Sequence, residues 1–278
     1  MMTHKPTVGF IGMGDQGAPM VRMIIKEGFE TFIWARRAAT LEPFRNTSAS
    51  VVDSLLELGE RSQVVGVCVN NDDDVRQIVD GDGQGVLHGM ERGGVIAVHS
   101  TVMPETCREL ERLAVQRGVQ LIDAPVSGSR DAPEQKSLTV MVGGDPAAFQ
   151  MALPVFLSYG NPVRHLGPLG SGQRIKALNA VVNFANMRVA HLGFAVADEL
   201  GMDPTAVREI LLNSSGSSIG MDRVVNRFEK DPQFAKTHAA PTMTKDVGVL
   251  ASICRQAGIP ETVIERLAAD YIEVLKQG

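Results

Sequence analysis

Residues 7–28, TVGFIGMGDQGAPMVRMIIKEG, carry a strand, a glycine-rich turn and a helix in one short run. TVGFI (7–11) has the apolar character of a strand buried on both faces. GAPMVRMIIKEG (17–28) repeats its apolar residues at helical spacing until Gly28 ends it. Between them Gly12, Gly14 and Gly17 form G-x-G-x-x-G. In this setting the first glycine permits the tight turn, the second lets a pyrophosphate approach the backbone, and the third lets helix and strand pack closely. The helix N-terminus then favours negative charge. A purely structural glycine turn has the same spelling, so the rest of the chain must decide between them.

The rest of the first half alternates. Strand-like runs at 31–35, 62–69, 94–100, 119–125 and 138–143, with a short one near 163–166, are separated by helical segments at 50–59, 72–81, 104–118 and 145–158. DDDVRQIVDG (72–81) has acids in its first turn and glycine at its end, and Pro104 opens the 104–118 helix, both expected of helix termini. This spacing predicts βαβ units and a mostly parallel sheet, the context in which the glycine turn binds a dinucleotide. After GPLGSG (167–172) strand signals cease. A long helix is expected to about Leu200, broken at Gly201 and restarted at Asp203-Pro204, with further helices near 218–229, 243–257 and 260–276. The expected fold class is an α/β Rossmann-like N-terminal domain (1–168) followed by an all-α C-terminal domain (169–278).

A chain of 278 residues has room for one large core or two smaller ones. Its net charge of −5, with no Lys/Arg-rich run, argues against nucleic acid or an anionic membrane as partner. Cys68, Cys107 and Cys254 are widely separated and lack metal-ligand spacing, so neither a disulfide framework nor a zinc site is expected, and the thiols suit a reducing cytoplasm. MMTHKP runs straight into VGFIG, too short for the apolar core of a leader. ALNAVVNFANMRVAHLGFAVA (177–197) is apolar enough to raise a membrane span. Its Asn179, Asn183, Asn186, Arg188 and His191 are expensive in lipid, so a helix buried on most sides within protein is expected.

Beyond the second strand stand Ala35, Arg36 and Arg37, with no acid before Glu42. An acid there would accept the 2′-hydroxyl of NAD, whereas arginine suits a 2′-phosphate; NADP(H) is therefore favoured over NAD(H), the alternative being two solvated loop arginines. In STVMP (100–104), Thr101 either touches nicotinamide or substrate or merely caps the following helix. DAPVSGS (123–129) runs from a strand end into a Ser/Gly turn whose amides can hold a carboxylate. GSGQRIKALNAV (170–181) places Lys176 early in the long helix. It is either an ordinary solvated lysine or, enclosed beside the cleft between domains, a proton-transfer group.

GFIGMGDQG, STVMP, DAPVSG and the G-x-G-x-x-x-K of 170–176, followed by Lys245-Asp246 in TMTKDVGVLA, resemble the β-hydroxyacid dehydrogenase family in order and spacing over nearly the whole chain. The resemblance implies Lys176 as general acid/base, Ser127 and Gly128 at the substrate carboxylate, Thr101 beside substrate and nicotinamide, and Lys245 closing over the cofactor. Asn179 and Asn183 join the substrate candidates. The candidate cofactor contacts are Gly12, Met13, Gly14, Asp15, Gln16, Gly17, Ala35, Arg36, Arg37, Val69, Thr101 and Lys245. The implied partners are a small carboxylated aldehyde or β-hydroxy acid and a second copy of the chain, through the helical domain. Several positions depart from the family pattern. Ala180 replaces the second asparagine after the lysine, one helical turn from it. Gln16 stands at a usual methionine, Ser129, Ala132 and Lys136 at common glycines, and Pro133 at a small residue. These changes point to an altered substrate pocket. The expected activity is NADP(H)-dependent hydride transfer to or from a small β-hydroxy acid or semialdehyde. The alternatives are an imine reductase-like enzyme on the same fold, against which Lys176 argues, and a cofactor-binding module without turnover.

Overall fold

The alternation of the first half builds a six-stranded sheet. In the computed structural model, which describes residues 5–129 and 131–277, β1 (Val8–Ile11), β2 (Thr31–Trp34), β3 (Ser50–Val51), β4 (Val64–Val67), β5 (Val95–Val98) and β6 (Gln120–Asp123) pair in parallel in the order β3-β2-β1-β4-β5-β6. The first four residues of the MMTHKP reading lie outside the described residues. Alternate strand residues feed two cores. Val8, Phe10, Val64, Val95, Ala97 and Ile122 enter one, and Ile11, Val65, Val67, Ile96, Val98 and Leu121 the other. Helices α1 (Gly17–Lys26), α2 (Leu55–Glu60), α3 (Asp72–Val79), α4 (Val86–Gly89), α5 (Pro104–Gln116) and α6 (Pro146–Phe156) cover them, α1 and α6 on the first face and the rest on the second. This is the doubly wound Rossmann arrangement, in which ligands bind at the carboxyl ends of β1 and β4, where strand order reverses.

Two expectations need correction. Residues 50–59 are not one helix: Ser50–Val51 joins the sheet edge, and α2 starts only after Ser54, whose hydroxyl caps it by accepting from Glu57 N at 3.1 Å. The runs near 138–143 and 163–166 do not extend the main sheet. They form β8 (Leu138–Val142) and β9 (Gly160–His165) of a separate three-stranded sheet, in which β7 (Val126–Ser127) lies antiparallel to β8. In the altered loop between β7 and β8, Lys136 takes a left-handed φ of 51°, a conformation that glycine adopts without strain. Its ammonium donates to Glu27 Oε1 at 2.6 Å, which holds the Glu27 carboxyl below its usual range.

The chain divides into two compact units, Met1–Lys176 and Ala177–Gly278, and α7 (Ser171–Glu199) passes from one into the other. The second unit is all helical: the remainder of α7, α8 (Pro204–Leu212), α9 (Ile219–Arg223) with a π-helical turn at 224–228, α10 (Pro232–Phe234) with another at 235–239, α11 (Ala240–Gln256) and α12 (Val263–Gln277). Asp203 and Ser218 cap α8 and α9. By length and composition alone α7 could cross a membrane, and 44% of its most apolar window is buried. It is not buried on most sides, as the sequence reading expected. Val181, Phe184 and Met187 face inward, but Leu178, Val182, Val189, Leu192 and Val196 form an exposed stripe whose three-, four- and seven-residue steps keep one helix face.

Candidate active site

The glycine turn has the geometry its spelling predicts. Gly12 sits at φ +94°, where a Cβ would lie 2.0 Å from the Cys68 carbonyl oxygen, and a Cβ on Gly17 would lie 2.0 Å from that of Gly12. Gly14, by contrast, has no neighbouring atom within 4 Å of a would-be Cβ, so its backbone is open to an approaching group. Met13 is buried, Asp15 is exposed, and α1 opens at Gly17. The buried Gln16 Nε2 donor finds no acceptor among the described residues. A turn closed on two sides, open at the middle glycine and bearing an unused donor fits the pyrophosphate of a dinucleotide.

Ala35 is half-buried beyond β2, and Arg36 and Arg37 are exposed. Arg36 Nη2 donates to Asp74 Oδ1 in the first turn of α3. The end of β4 is tied to that of β5, since Val69 N donates to the buried Ser100 hydroxyl at 2.8 Å.

Two fully buried side chains fix the start of the Lys176 helix. Asp123, the last residue of β6, accepts from Gly170 N at 2.6 Å through Oδ1 and from Gln173 N at 2.7 Å through Oδ2. It is thus a helix cap supplied from another element. Burial raises its pKa, against the lowering pull of these N–H groups. Gln173 donates from Nε2 to Ser100 O at 2.8 Å and accepts at Oε1 from Val102 N at 3.2 Å. Its carboxamide therefore clamps the two backbone groups that flank Thr101. Gly170 has φ +92°, and a Cβ on Gly172 would lie 2.2 Å from Met141 O. The G-x-G-x-x-x-K spacing is that of a helix start pressed onto strand ends, with the half-buried Lys176 one turn past Gln173.

Ser127 is half-buried in β7 opposite Thr139, and Gly128 follows against Leu138 and Ala132. The first unit thus gathers the glycine turn, Arg36, Val69, Thr101 and the Lys176 helix start along the carboxyl ends of the main sheet. Asn179, Asn183 and Lys245 belong to the second unit, where Asn179 is exposed, Asn183 half-buried, and Lys245 Nζ lies 3.7 Å from Asp246 Oδ1. Sequence reasoning missed Asp123, Gln173 and Asp74. The signal for Asp123 was a charge inside an otherwise apolar strand.

It also missed His99 at the end of β5. The ring is buried, Nδ1 donates to Ala124 O at 2.7 Å, and Tyr159 OH donates to Nε2 at 3.2 Å. Desolvation lowers its pKa from 6.5 to about 4. The unfolded chain therefore takes up this proton first. The stabilisation is whole above pH 6.5 and drains away as pH falls to about 4. We expect a loss of roughly 3 kcal/mol over that interval, read from denaturant unfolding at stepped pH, and a flatter profile for His99→Gln. Asp123, shifted upward, acts with the opposite sign at the acidic end. An equal slope in His99→Gln would assign the pH dependence elsewhere.

Comparison with known proteins gives the following. Residues 7–167 match the family model described as the NAD binding domain of 6-phosphogluconate dehydrogenase, and residues 170–278 that described as NAD-binding of NADP-dependent 3-hydroxyisobutyrate dehydrogenase. The chain is 32% identical to a probable 3-hydroxyisobutyrate dehydrogenase-like 2, mitochondrial, from Arabidopsis thaliana, over 89% of this chain and 82% of the relative. Two solved structures share the fold. A 3-hydroxyisobutyrate dehydrogenase from Salmonella typhimurium has a TM-score of 0.85 at 22% identity, covering 98% of this chain and 95% of that one. An imine reductase from Streptomyces aurantiacus has 0.68 at 17%, covering 98% and 94%.

Proposed function

The chain belongs to the β-hydroxyacid dehydrogenase family, and from that premise we propose that this oxidoreductase reduces a small carboxylated aldehyde to the corresponding hydroxy acid with NADPH, Lys176 acting as general acid. The observation that carries this reading is the pinned helix start, where Gln173 clamps the backbone around Thr101 and Asp123 holds the turn before Lys176. A bound nicotinamide supplies the hydride. Lys176 gives a proton to the nascent alkoxide oxygen and takes it back in the oxidative direction, and its charge favours the alkoxide meanwhile. Ser127 and the Gly128 backbone hold the substrate carboxylate, and Thr101 orients the carbonyl. Arg36 and Arg37 hold the 2′-phosphate. The roles of Asn179, Asn183 and Lys245 rest on the resemblance of their motifs.

The test is NADPH oxidation across glyoxylate and succinic, malonic and tartronic semialdehydes, with a cyclic imine in the same panel. Turnover on a semialdehyde supports the reading; NADPH binding without turnover on any of the four sinks it. Ala180, buried where the family carries an asparagine, favours imine reduction as second reading, and turnover on the imine alone would select it.

The exposed apolar stripe of α7 supports a further part of the proposal, that two copies of the chain pair. Light scattering at micromolar concentration is expected to give twice the mass of one chain, and Val189→Glu with Val196→Glu to halve it. A monomeric wild type refutes the pairing.

A further inference from the structure

The end of β2 and the end of β4 lie on opposite sides of β1, a separation of roughly 10 Å across two strand spacings. Arg36 follows β2 and Asp74 lies in the helix that follows β4, so their ion pair passes the carboxyl end of β1, where the glycine turn begins. The partners differ in freedom: the Asp74 side chain is 17% exposed and that of Arg36 60%. The carboxylate is set into the protein and the guanidinium reaches to it. The other acids of this helix turn are engaged elsewhere. Asp72 accepts from Met103 N and the Thr106 hydroxyl, and Asp73 from Arg76. The cap is supplied by Asn71, whose Oδ1 accepts from Asp74 N at 2.8 Å. Asp74 is thus the acid of that turn whose carboxylate meets the arginine beyond β2. The acid that sequence reasoning found missing beside Arg36 is delivered in space from the first turn of α3.

Resting on the reading of Arg36 as a ligand of the adenosine 2′-phosphate, we propose that Asp74 sets the strength of the cofactor preference by competing with that phosphate for the Arg36 guanidinium. A 2′-phosphate must displace the carboxylate and then share one guanidinium with it, two like charges in close company. The 2′-hydroxyl of NAD makes no such demand and leaves the ion pair in place. Asp74 therefore weakens NADPH binding selectively, and the chain discriminates less between the two cofactors than its paired arginines suggest.

Trp34, the single tryptophan, ends β2 two residues before Arg36, and its fluorescence is the chosen readout of binding. The experiment is titration of wild type, Asp74→Asn, Arg36→Ala and the double variant with NADPH and with NADH. Asp74→Asn is expected to tighten NADPH about three- to tenfold and to change NADH less than about twofold, with the gain largely lost in the Arg36→Ala background. An unchanged NADPH Kd in Asp74→Asn, while Arg36→Ala weakens NADPH, overturns the role of Asp74 and leaves the phosphate reading standing. An unchanged NADPH Kd in Arg36→Ala overturns both. Equal shifts for both cofactors in Asp74→Asn mark a structural residue and also overturn the proposal.

Discussion

Lys176→Ala is expected to lower kcat by about 10²–10⁴-fold, the range lost with a general acid, while NADPH still binds within about twofold of wild type. The separation follows from how the helix start is built. Its cap is Asp123 and its lateral tie is Gln173, so truncating Lys176 removes neither support. The glycine turn lies at a different βα junction, between β1 and α1. Stopped-flow NADPH oxidation gives the first quantity and Trp34 fluorescence the second. Lys176→Arg divides the lysine's two contributions: arginine keeps the positive charge but holds its proton too tightly to exchange it. It is expected to regain part of the binding to a carboxylated substrate and little of the turnover. Wild-type kcat in Lys176→Ala would remove the lysine from the chemistry altogether.

Asp123→Ala is expected to be the most damaging single change to the fold. It leaves Gly170 N and Gln173 N facing a buried void with no acceptor, each costing about 1–3 kcal/mol. The combined loss of ~3–5 kcal/mol corresponds to a fall in Tm on the order of 10 °C for a chain of this size. The helix start is then loose beneath Lys176, so kcat falls as well even below the melting transition. Asp123→Asn keeps one carbonyl acceptor and presents an amide NH₂ to the second N–H, and should lie between. Thermal unfolding with kcat at one low temperature checks both effects. An unchanged Tm would show that the two N–H groups find other acceptors, and normal kcat with a lowered Tm would confine Asp123 to stability.

What the sequence reveals and hides here follows from the distance over which each feature is determined. The strand–turn–helix of 7–28 is local: period, glycine spacing and chain reversal all lie within a few residues, and the structure reproduces it. The order of motifs and the all-helical second half are likewise legible, because each rests on local periodicity. The separate sheet of β7, β8 and β9 is not, because a strand-like run does not say which strand it will pair with. Asp123 and Gln173 sit inside quoted motifs, yet their partners lie 47 to 73 residues away. The Arg36–Asp74 pair spans 38 residues, so reading the loop after β2 alone yields two arginines and no acid. The stripe on α7 was hidden by composition: an apolar helix reads as buried until packing shows which face has neighbours.

The position of Asp123 bears finally on how such chains can be taken apart and recombined. The dinucleotide-binding family match ends at residue 167, a natural place to cut by sequence. A fragment ending there would keep the buried carboxylate and discard Gly170 and Gln173, the groups that neutralise its burial. The heritable module of the first half therefore extends through residue 176 and carries its lysine with it. A graft onto this chain that joins between residues 123 and 170 must bring in a helix start matched to Asp123, whereas a joint after Lys176 keeps the cap, the clamp and the amine together.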